Sequence, residues 1–154
     1  MENSNQKLLI EQADRKLQPF TGLETMVIPP KGWINTVRAA LKMSLRQLGS
    51  RLHISPQSVK EIEEREANGS LTIKSLKEVG LALNLKLIYG FIPLEGSIEK
   101  MIENRAYKLA EEIISRTSQS MKLENQENKE ERLKKAIEMK ASDIIDKMPK
   151  YLWD

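Results

Sequence analysis

The sequence contains no cysteine and a single histidine, His53. The lack of cysteine excludes disulfide frameworks, thiolate zinc sites and cysteine nucleophiles, and it fits a reducing compartment. One imidazole cannot form a multi-histidine metal site and offers little basis for histidine-dependent catalysis. Since no acid–base constellation stands out among the other residues, we expect a protein that is not an enzyme and that uses no metal or cofactor.

Aromatic residues and long apolar runs are scarce as well. Aromatics make up 5% of the chain, and no apolar run approaches the roughly 20 residues of a membrane-spanning helix. Residues 1–16 lack the apolar stretch of a signal peptide. The remaining composition, 40% hydrophobic and 31% charged, is typical of a water-soluble and mainly helical protein, which we expect in the cytoplasm without a membrane partner.

Acidic residues are missing from residues 31–60, which instead hold six cations. The net charge of the whole chain is only +3, so this local excess matters more than the sum. A basic stretch of this kind can face the phosphates of a nucleic acid. The alternative is that a helix surface happened to collect cations. The six are Lys31, Arg38, Lys42, Arg46, Arg51 and Lys60.

Apolar periodicity predicts two helices in the first third of the chain. Residues 4–18 have helical spacing, and we expect Pro19 to end that helix. The segment 21–31 contains glycine and two prolines, which predicts an extended linker. A second helix is expected to begin near Gly32 and end near Met43. Its inward-facing residues are Ile34, Val37 and Leu41.

Capping residues predict three further helices. Each is preceded by a serine or threonine that can accept a hydrogen bond from the first turn. The first also has the glutamine, three residues on, that completes a capping box, and the second has proline at its first position. With the two helices before them, they predict a compact bundle of five. The caps are Ser44 for residues 45–52, Ser55 for residues 56–66, and Thr72 for a helix that Asn84 ends.

The segment 85–92 alternates in the manner of a β-strand, with one face apolar throughout. A lone strand leaves its backbone donors and acceptors unpaired, so it needs a second strand, a symmetry mate or a bound protein. After Pro93 the periodicity is helical again, with one apolar stripe over 98–113 and another over 133–148.

Residues 44–64 have the spacing of a helix-turn-helix, in which two short helices cross at a tight turn. Gly49 is small where the helices cross, and Val59 and Ile62 follow at positions that face the core. His53 lies where the turn requires a positive φ, which histidine tolerates better than most other non-glycine residues. We therefore predict a turn residue at His53 rather than a metal ligand.

The segment SLRQLGSRLHISPQSVKEIEER, residues 44–65, resembles the Xre or Cro-repressor superfamily, and the likeness extends over roughly residues 33–84. The resemblance implies a five-helix, lambda-repressor-like DNA-binding domain. It also implies a structural ion pair between Arg38 and Glu63, late in the second helix of the motif. Leu45 departs from the superfamily, which often has a glutamine there that anchors the DNA backbone, and this puts a backbone contact from Leu45 in doubt.

In the major groove, the second helix of the motif would present polar residues near its N-terminus and along one face. Gln57 can pair with adenine, Lys60 with guanine and Glu61 with the amino group of cytosine. Side chains at the two helix starts suit phosphates, which position a protein without specifying sequence. The candidate DNA-binding residues are Ser44, Arg46, Ser55, Pro56, Gln57, Ser58, Lys60, Glu61 and Arg65.

Four glutamates make this helix acidic, and acidic side chains repel phosphate. Glu63 is assigned to Arg38 and Glu66 lies at the far end, so the objection falls mainly on Glu61 and Glu64. One such domain reads only a half-site, so the partner is expected to be double-stranded DNA with an inverted repeat, bound by a homodimer. The strand expected over 85–92 is one candidate for the dimer contact.

The wider arrangement resembles the family called mobile mystery protein A. The likeness rests on PPKGWI before the motif, NGSLTIKSLKEVGLALNLKLIYGFIP after it and the final KYLWD, and it spans most of the chain. Members are encoded beside a protein with a Fic domain. The resemblance therefore implies an antitoxin paired with a Fic-type nucleotidyltransferase toxin.

Fic antitoxins carry serine or threonine, three further residues, glutamate, and then glycine or asparagine. Ser120, Glu124 and Asn125 fit this toxin-inhibitory pattern. The resemblance implies that Glu124 reaches an arginine of the toxin and competes there with the γ-phosphate of ATP. The alternative is a solvated, charged helix surface that matches the pattern by chance.

The sequence thus predicts a mainly α protein in four parts. These are an N-terminal helix and linker (1–31), a helix-turn-helix domain (32–84), a short strand (85–93) and a C-terminal helical region (94–154). The leading hypothesis is a transcriptional regulator that represses its own promoter and neutralises a Fic toxin. The alternative is a protein-interaction module that inhibits its partner and whose acidic helix never enters DNA.

Overall fold

The computed structural model describes residues 2–118 and 126–154, and within them the chain is mainly α-helical without a β-strand. None of the helices in these two ranges combines the length and the apolarity needed to cross a membrane. The α-helices are α1 (Glu2–Leu17), α2 (Gly32–Ala40), α3 (Leu45–Leu52), α4 (Pro56–Ala67), α5 (Ile73–Ala82), α6 (Ile98–Ser118) and α7 (Gln126–Lys147), and short 3-10 turns cover Gln18–Leu23 and Lys150–Trp153.

The chain divides into two compact units, one inserted into the sequence of the other. Thr25–Gly90 forms the first, called here the inner unit. The described residues up to Glu24, together with those from Phe91 onward, form the second, called here the outer unit. Each unit has its own apolar core.

The inner unit contains four helices, α2 to α5, so the predicted bundle of five is not found: α1 belongs to the outer unit. α4 lies at the centre of the inner unit. It packs against α2 and α3, while α3 also packs against α5. The apolar positions of these short helices recur every three or four residues, so each helix turns one stripe toward the others. The buried residues of this core are Ile34, Leu48, Val59, Val79 and Leu83.

The three predicted N-caps are confirmed. Ser44 forms a complete capping box, because its Oγ accepts from the backbone N–H of Gln47 at 3.1 Å and its own N–H donates to Gln47 Oε1 at 2.8 Å. The Oγ of Ser55 and the Oγ1 of Thr72 each accept from the N–H three residues on, at 3.1 Å. These bonds satisfy donors that a helix start leaves unpaired, and so they define where α3, α4 and α5 begin.

The outer unit packs α1, α6 and α7 together, with the 3-10 turn Lys150–Trp153 against α6. Asp14 of α1 accepts from the backbone N–H groups of Ile98 at 2.7 Å and Glu99 at 3.1 Å, and so caps α6. Arg105 of α6 donates to the carbonyl oxygen of Leu152 at 2.6 Å. The buried residues of this core are Ile102, Ala106, Ala110, Ala141, Ile144 and Leu152.

The strand predicted over 85–92 is wrong: these residues have no regular secondary structure. Alternating side chains do not make a strand unless a second strand supplies a ladder of hydrogen bonds, and the described part of the chain contains none. The segment 85–90 belongs to the inner unit and is left as an irregular connection at its end.

Two smaller expectations near the start of the chain also need correction. α1 runs directly into the 3-10 turn Gln18–Leu23, so the first part of the predicted linker is helical. Pro19 fits this turn because it lies at the start, where a missing N–H leaves no acceptor unpaired. Leu41 is 55% exposed rather than buried, because α2 ends at Ala40 and Met43 packs against the core instead.

Candidate nucleic-acid interface

The turn between α3 and α4 is tight and depends on two residues. His53 has a φ of 57° and a ψ of 39°, which confirms the predicted left-handed turn residue. The N–H of Ile54 then donates to the carbonyl of Gly49 at 2.9 Å. A Cβ at Gly49 would lie 2.7 Å from the carbonyl oxygen of Ile54, so only glycine allows this close approach.

α4 is divided into a buried and an exposed face. Val59 and Glu63 are buried and Ile62 is half-buried, at the spacing expected for one side of a helix. The opposite side is open to solvent. The predicted DNA-binding residues that are exposed are Ser44, Arg46, Ser55, Pro56, Gln57, Lys60, Glu61 and Arg65, and Ser58 is half-buried.

The three serines among the candidate DNA-binding residues already form hydrogen bonds at the helix starts. Ser44 Oγ and Ser55 Oγ are the capping acceptors of α3 and α4. The hydroxyls of Ser55 and Ser58 are also 2.9 Å apart, and one donates to the other. A capping hydroxyl keeps its hydrogen, so Ser44 can still donate one bond to a phosphate while it caps. The Ser55–Ser58 pair retains one hydrogen for the same use.

Leu45 is half-buried and packs against the core of the inner unit. Its side chain therefore contributes to the folding of the inner unit. Of the candidate residues at the start of α3, Ser44 and Arg46 are both exposed.

The predicted pair of Arg38 and Glu63 is confirmed. Arg38 Nε donates to Glu63 Oε1 and its Nη2 donates to Glu63 Oε2 at 3.2 Å, while its Nη1 donates to the carbonyl of Met43 at 2.8 Å. Asn35 adds a bond to Glu63 Oε2 at 2.9 Å. These bonds join α2, α4 and the segment between α2 and α3, so the pair holds the motif in place.

Both partners are almost enclosed, with 15% of the Arg38 side chain and 9% of the Glu63 side chain exposed. Burial alone would raise the pKa of the Glu63 carboxyl, but hydrogen bonds from Arg38 and Asn35 and the charge of Arg38 together lower that pKa below its ordinary value. The hydrogen bond to Glu63 raises the pKa of Arg38 against the opposing effect of burial. Both groups are therefore charged at neutral pH.

Glu66 has a role that the sequence analysis missed. Its carboxylate accepts from the backbone N–H of Trp33 at 2.9 Å and of Ile34 at 2.8 Å, so α4 caps the start of α2. Lys31, which precedes α2, offers no side-chain cap of its own. PPKG lacks the serine or threonine that caps α3, α4 and α5, which indicates that a cap is missing but not that Glu66 supplies it.

Gly32 is matched to that cap. Its φ is 83°, and a Cβ there would lie 2.6 Å from the Glu66 carboxylate oxygen. A side chain would both strain the backbone and displace the capping group. Glycine at this position therefore allows the backbone conformation and leaves space for the capping carboxylate.

These contacts change the charge that α4 presents to solvent. Glu63 and Glu66 are both engaged with α2, so neither belongs to the exposed polar face. The charged side chains that remain exposed on α4 are two cations and two glutamates: Lys60, Arg65, Glu61 and Glu64. Arg46 adds a positive charge at the start of α3, and the acidity of the α4 sequence is thus largely an internal feature.

The predicted toxin-inhibitory residues Ser120, Glu124 and Asn125 lie outside the described residues. The structure thus brings together the DNA-binding candidates around α3 and α4. It does not bear on the inhibitory pattern.

Comparison of the chain with models of protein families, with curated proteins and with solved structures found no match.

Proposed function

We propose that the protein is a sequence-specific DNA-binding transcriptional regulator. The observation that carries the proposal is the α3–turn–α4 arrangement. A Gly49 contact and a left-handed His53 set the crossing of the two helices, and the polar residues of α4 face solvent. A short helix presented in this way fits the major groove of DNA.

The exposed side chains divide by chemistry into two groups. Gln57, Lys60 and Glu61, along the open side of α4, offer the hydrogen-bonding groups that read adenine, guanine and cytosine in the major groove. Ser44 and Arg46, at the start of α3, suit phosphate. Glu63 and Glu66 are turned toward α2. The two cations and two glutamates that α4 exposes cancel in charge, so the helix does not present a net negative charge to DNA.

Binding to the promoter region of its own gene tests this proposal. We expect Gln57→Ala and Lys60→Ala each to weaken binding by about tenfold, since each removes a base contact worth about 1–3 kcal/mol. Fluorescence anisotropy over a series of salt concentrations measures the affinity and the number of phosphate contacts. Lys77→Ala, an exposed cation on α5, is the matched control and should bind as the unmodified protein does.

The opposite result would favour the protein-interaction alternative. If the promoter fragment bound no better than random DNA of equal length, and both substitutions left the affinity unchanged, the inner unit would be a scaffold rather than a DNA reader. If the substitutions do weaken binding, circular dichroism shows whether the variants still fold. Gln57 and Lys60 are exposed and support no part of the core, so we expect an unchanged spectrum.

We further propose that the protein is the antitoxin of a Fic-type toxin and represses the operon that encodes both. The support is the resemblance of PPKGWI, residues 68–93 and KYLWD to mobile mystery protein A, together with the pattern Ser120, Glu124 and Asn125. A glutamate held against an arginine of the toxin would exclude the γ-phosphate by competing for the same charge.

The substitution Glu124→Gly should release nucleotidyl transfer by the complex of this protein with a Fic-domain protein encoded beside it. The assay follows transfer of labelled nucleotide by the purified pair, and Glu112→Gly on α6 controls for loss of any acidic residue. Unchanged inhibition would contradict the role of Glu124 but not binding of the toxin, which co-purification measures separately.

A further inference from the structure

The inner unit contains an apolar groove of about 400 Å³, between α2, α5 and the chain that follows α5. Two of its lining residues, Ile34 and Leu83, belong to the core and are 3% and 4% exposed. Two others, Trp33 and Ile88, are 42% and 70% exposed, so the groove reaches from the core to solvent. Pockets for small molecules have volumes of about 300–1,000 Å³ and mainly apolar walls, and this groove has both properties.

Gly80 lines the groove from the interior of α5. Glycine weakens the interior of a helix relative to alanine. The backbone does not require it, since its φ is not left-handed and a Cβ would meet only the carbonyl oxygen of Leu85, at an ordinary 3.6 Å. The missing side chain therefore leaves space in the groove that the packing of α5 does not need, and a bound molecule can approach the helix backbone there.

Lys86 is the one charged residue in the described lining of the groove. It is exposed and forms no ion pair with another described residue. The backbone N–H groups of Lys86, Leu87 and Ile88 also donate to no other described residue. One cation and several unused donors beside an apolar surface are complementary to a molecule with an apolar body and one anionic end.

We infer that this groove binds a small apolar monoanion of the medium-chain carboxylate type. The apolar body of the ligand packs between α2 and α5 and fills the space beside Gly80, and its carboxylate pairs with Lys86. A hydrogen bond from an ammonium group to a carboxylate is about twice as strong as one between neutral groups, so the charge at the end of the ligand sets the preference for an anion.

The groove shares α2 with the helix that would read DNA. Trp33 and Ile34 line the groove, and their backbone N–H groups donate to Glu66 of α4 at 2.9 and 2.8 Å. The ion pair of Arg38 and Glu63 joins the same two helices. A ligand that binds the arrangement in which α2 holds α4 favours that arrangement, so we expect it to strengthen promoter binding. This effector role rests on the proposed function, whereas the ligand site itself does not.

Fluorescence of Trp33 tests the ligand site without DNA. The chain has two tryptophans, so Trp153→Phe leaves Trp33 as the one reporter. The protein is titrated with decanoate, decanol and decylamine, each below the concentration at which it forms micelles. We expect a saturable blue shift with decanoate, because the ligand covers the exposed part of the indole. Decanoate should bind at least about tenfold more tightly than decanol, and decylamine should bind no better than decanol.

Two substitutions in the same background locate the ligand. Lys86→Ala should weaken the binding of decanoate at least about tenfold and leave that of decanol unchanged. Lys77→Ala, an exposed cation on α5 that does not line the groove, is the matched control and should bind decanoate normally. Gly80→Leu fills the groove and should weaken both ligands at least about tenfold. Circular dichroism verifies that each variant is folded.

The absence of a saturable change at Trp33, equal affinity for all three compounds, or normal decanoate binding by Lys86→Ala would each overturn the ligand site. These assays contain no DNA, so the site and the proposed function fail separately. Saturating decanoate should then lower the Kd for promoter DNA at least about fivefold, and Lys86→Ala should not respond at the same concentration. A protein that binds both decanoate and promoter DNA, with a Kd for DNA that is unchanged or raised, would overturn the effector role.

Discussion

Arg38→Met is expected to lower the free energy of unfolding by about 3 kcal/mol, because it leaves the buried Glu63 carboxylate without its cation. The loss is large for an ion pair because both side chains are nearly enclosed, whereas exposed pairs contribute about 0–1 kcal/mol. The substitution also frees the carbonyl of Met43, which accepts from Arg38 Nη1 at 2.8 Å. Urea unfolding followed by circular dichroism measures the effect.

The double variant Arg38→Met, Glu63→Met separates the cost of an unpaired charge from the value of the pair. It should be more stable than Arg38→Met alone, because no buried charge remains. Glu64→Gln, an exposed glutamate on the same helix, is the control and should change stability by less than about 0.5 kcal/mol. If the single and double variants were equally unstable, the unpaired charge of Glu63 would not be the cause of the loss.

The stability of Arg38→Met relative to the unmodified protein should depend on pH in a definite direction. Since the pKa of Glu63 is lowered in the folded protein, its stabilising effect is present above the unfolded pKa, near 4.5, and is lost as the pH falls through the folded value. In Arg38→Met the Glu63 carboxyl is still buried but has lost its cation, so protonation removes an unpaired buried charge. The difference in the free energy of unfolding between the unmodified protein and Arg38→Met should therefore decrease as the pH falls from 7 toward 4.

Gly49→Val should also cost about 3 kcal/mol, because a side chain there is forced against backbone. The added Cβ alone would lie 2.7 Å from the carbonyl oxygen of Ile54 and 3.4 Å from a methyl of Val59. Relief requires the turn to open and α3 to move from α4. Thermal unfolding measures the loss, and promoter binding measured on the variant at low temperature should fall with it.

Gly22→Val is the matched control for this substitution. A Cβ at Gly22 meets nothing within 4 Å, so the same added side chain should change stability by less than about 0.5 kcal/mol. An equal loss at both positions would show that the effect comes from the intrinsic preference of valine rather than from the crossing of α3 and α4.

Local signals predicted most of the inner unit. A cap acts within three residues of itself, and the left-handed turn residue His53 lies directly after α3, so both can be recognised in a short stretch of sequence. The exposed face of α4 followed from helical periodicity alone, which separates Gln57 and Lys60 from Val59. The pairing of Arg38 with Glu63 came from a family resemblance, not from periodicity.

Contacts between distant residues were beyond such reasoning. Glu66 bonds to the backbone 32 and 33 residues away. Nothing in the local pattern of α4 distinguishes it from Glu64, which is exposed. The prediction of a strand over 85–92 was wrong for a related reason. Alternating side chains are a property of one segment, whereas a strand also needs a second strand to bond with.

The insertion of one unit into the sequence of the other has a consequence for synthesis on the ribosome. All buried core residues of the inner unit lie between Ile34 and Leu83, so its core can close as soon as that stretch has emerged. α1 emerges earlier, but the N–H groups that Asp14 caps, at Ile98 and Glu99, are 84 and 85 residues further along. α1 is therefore synthesised before the inner unit but can pack only after α6 has been made, and its apolar residues stay exposed to solvent until then.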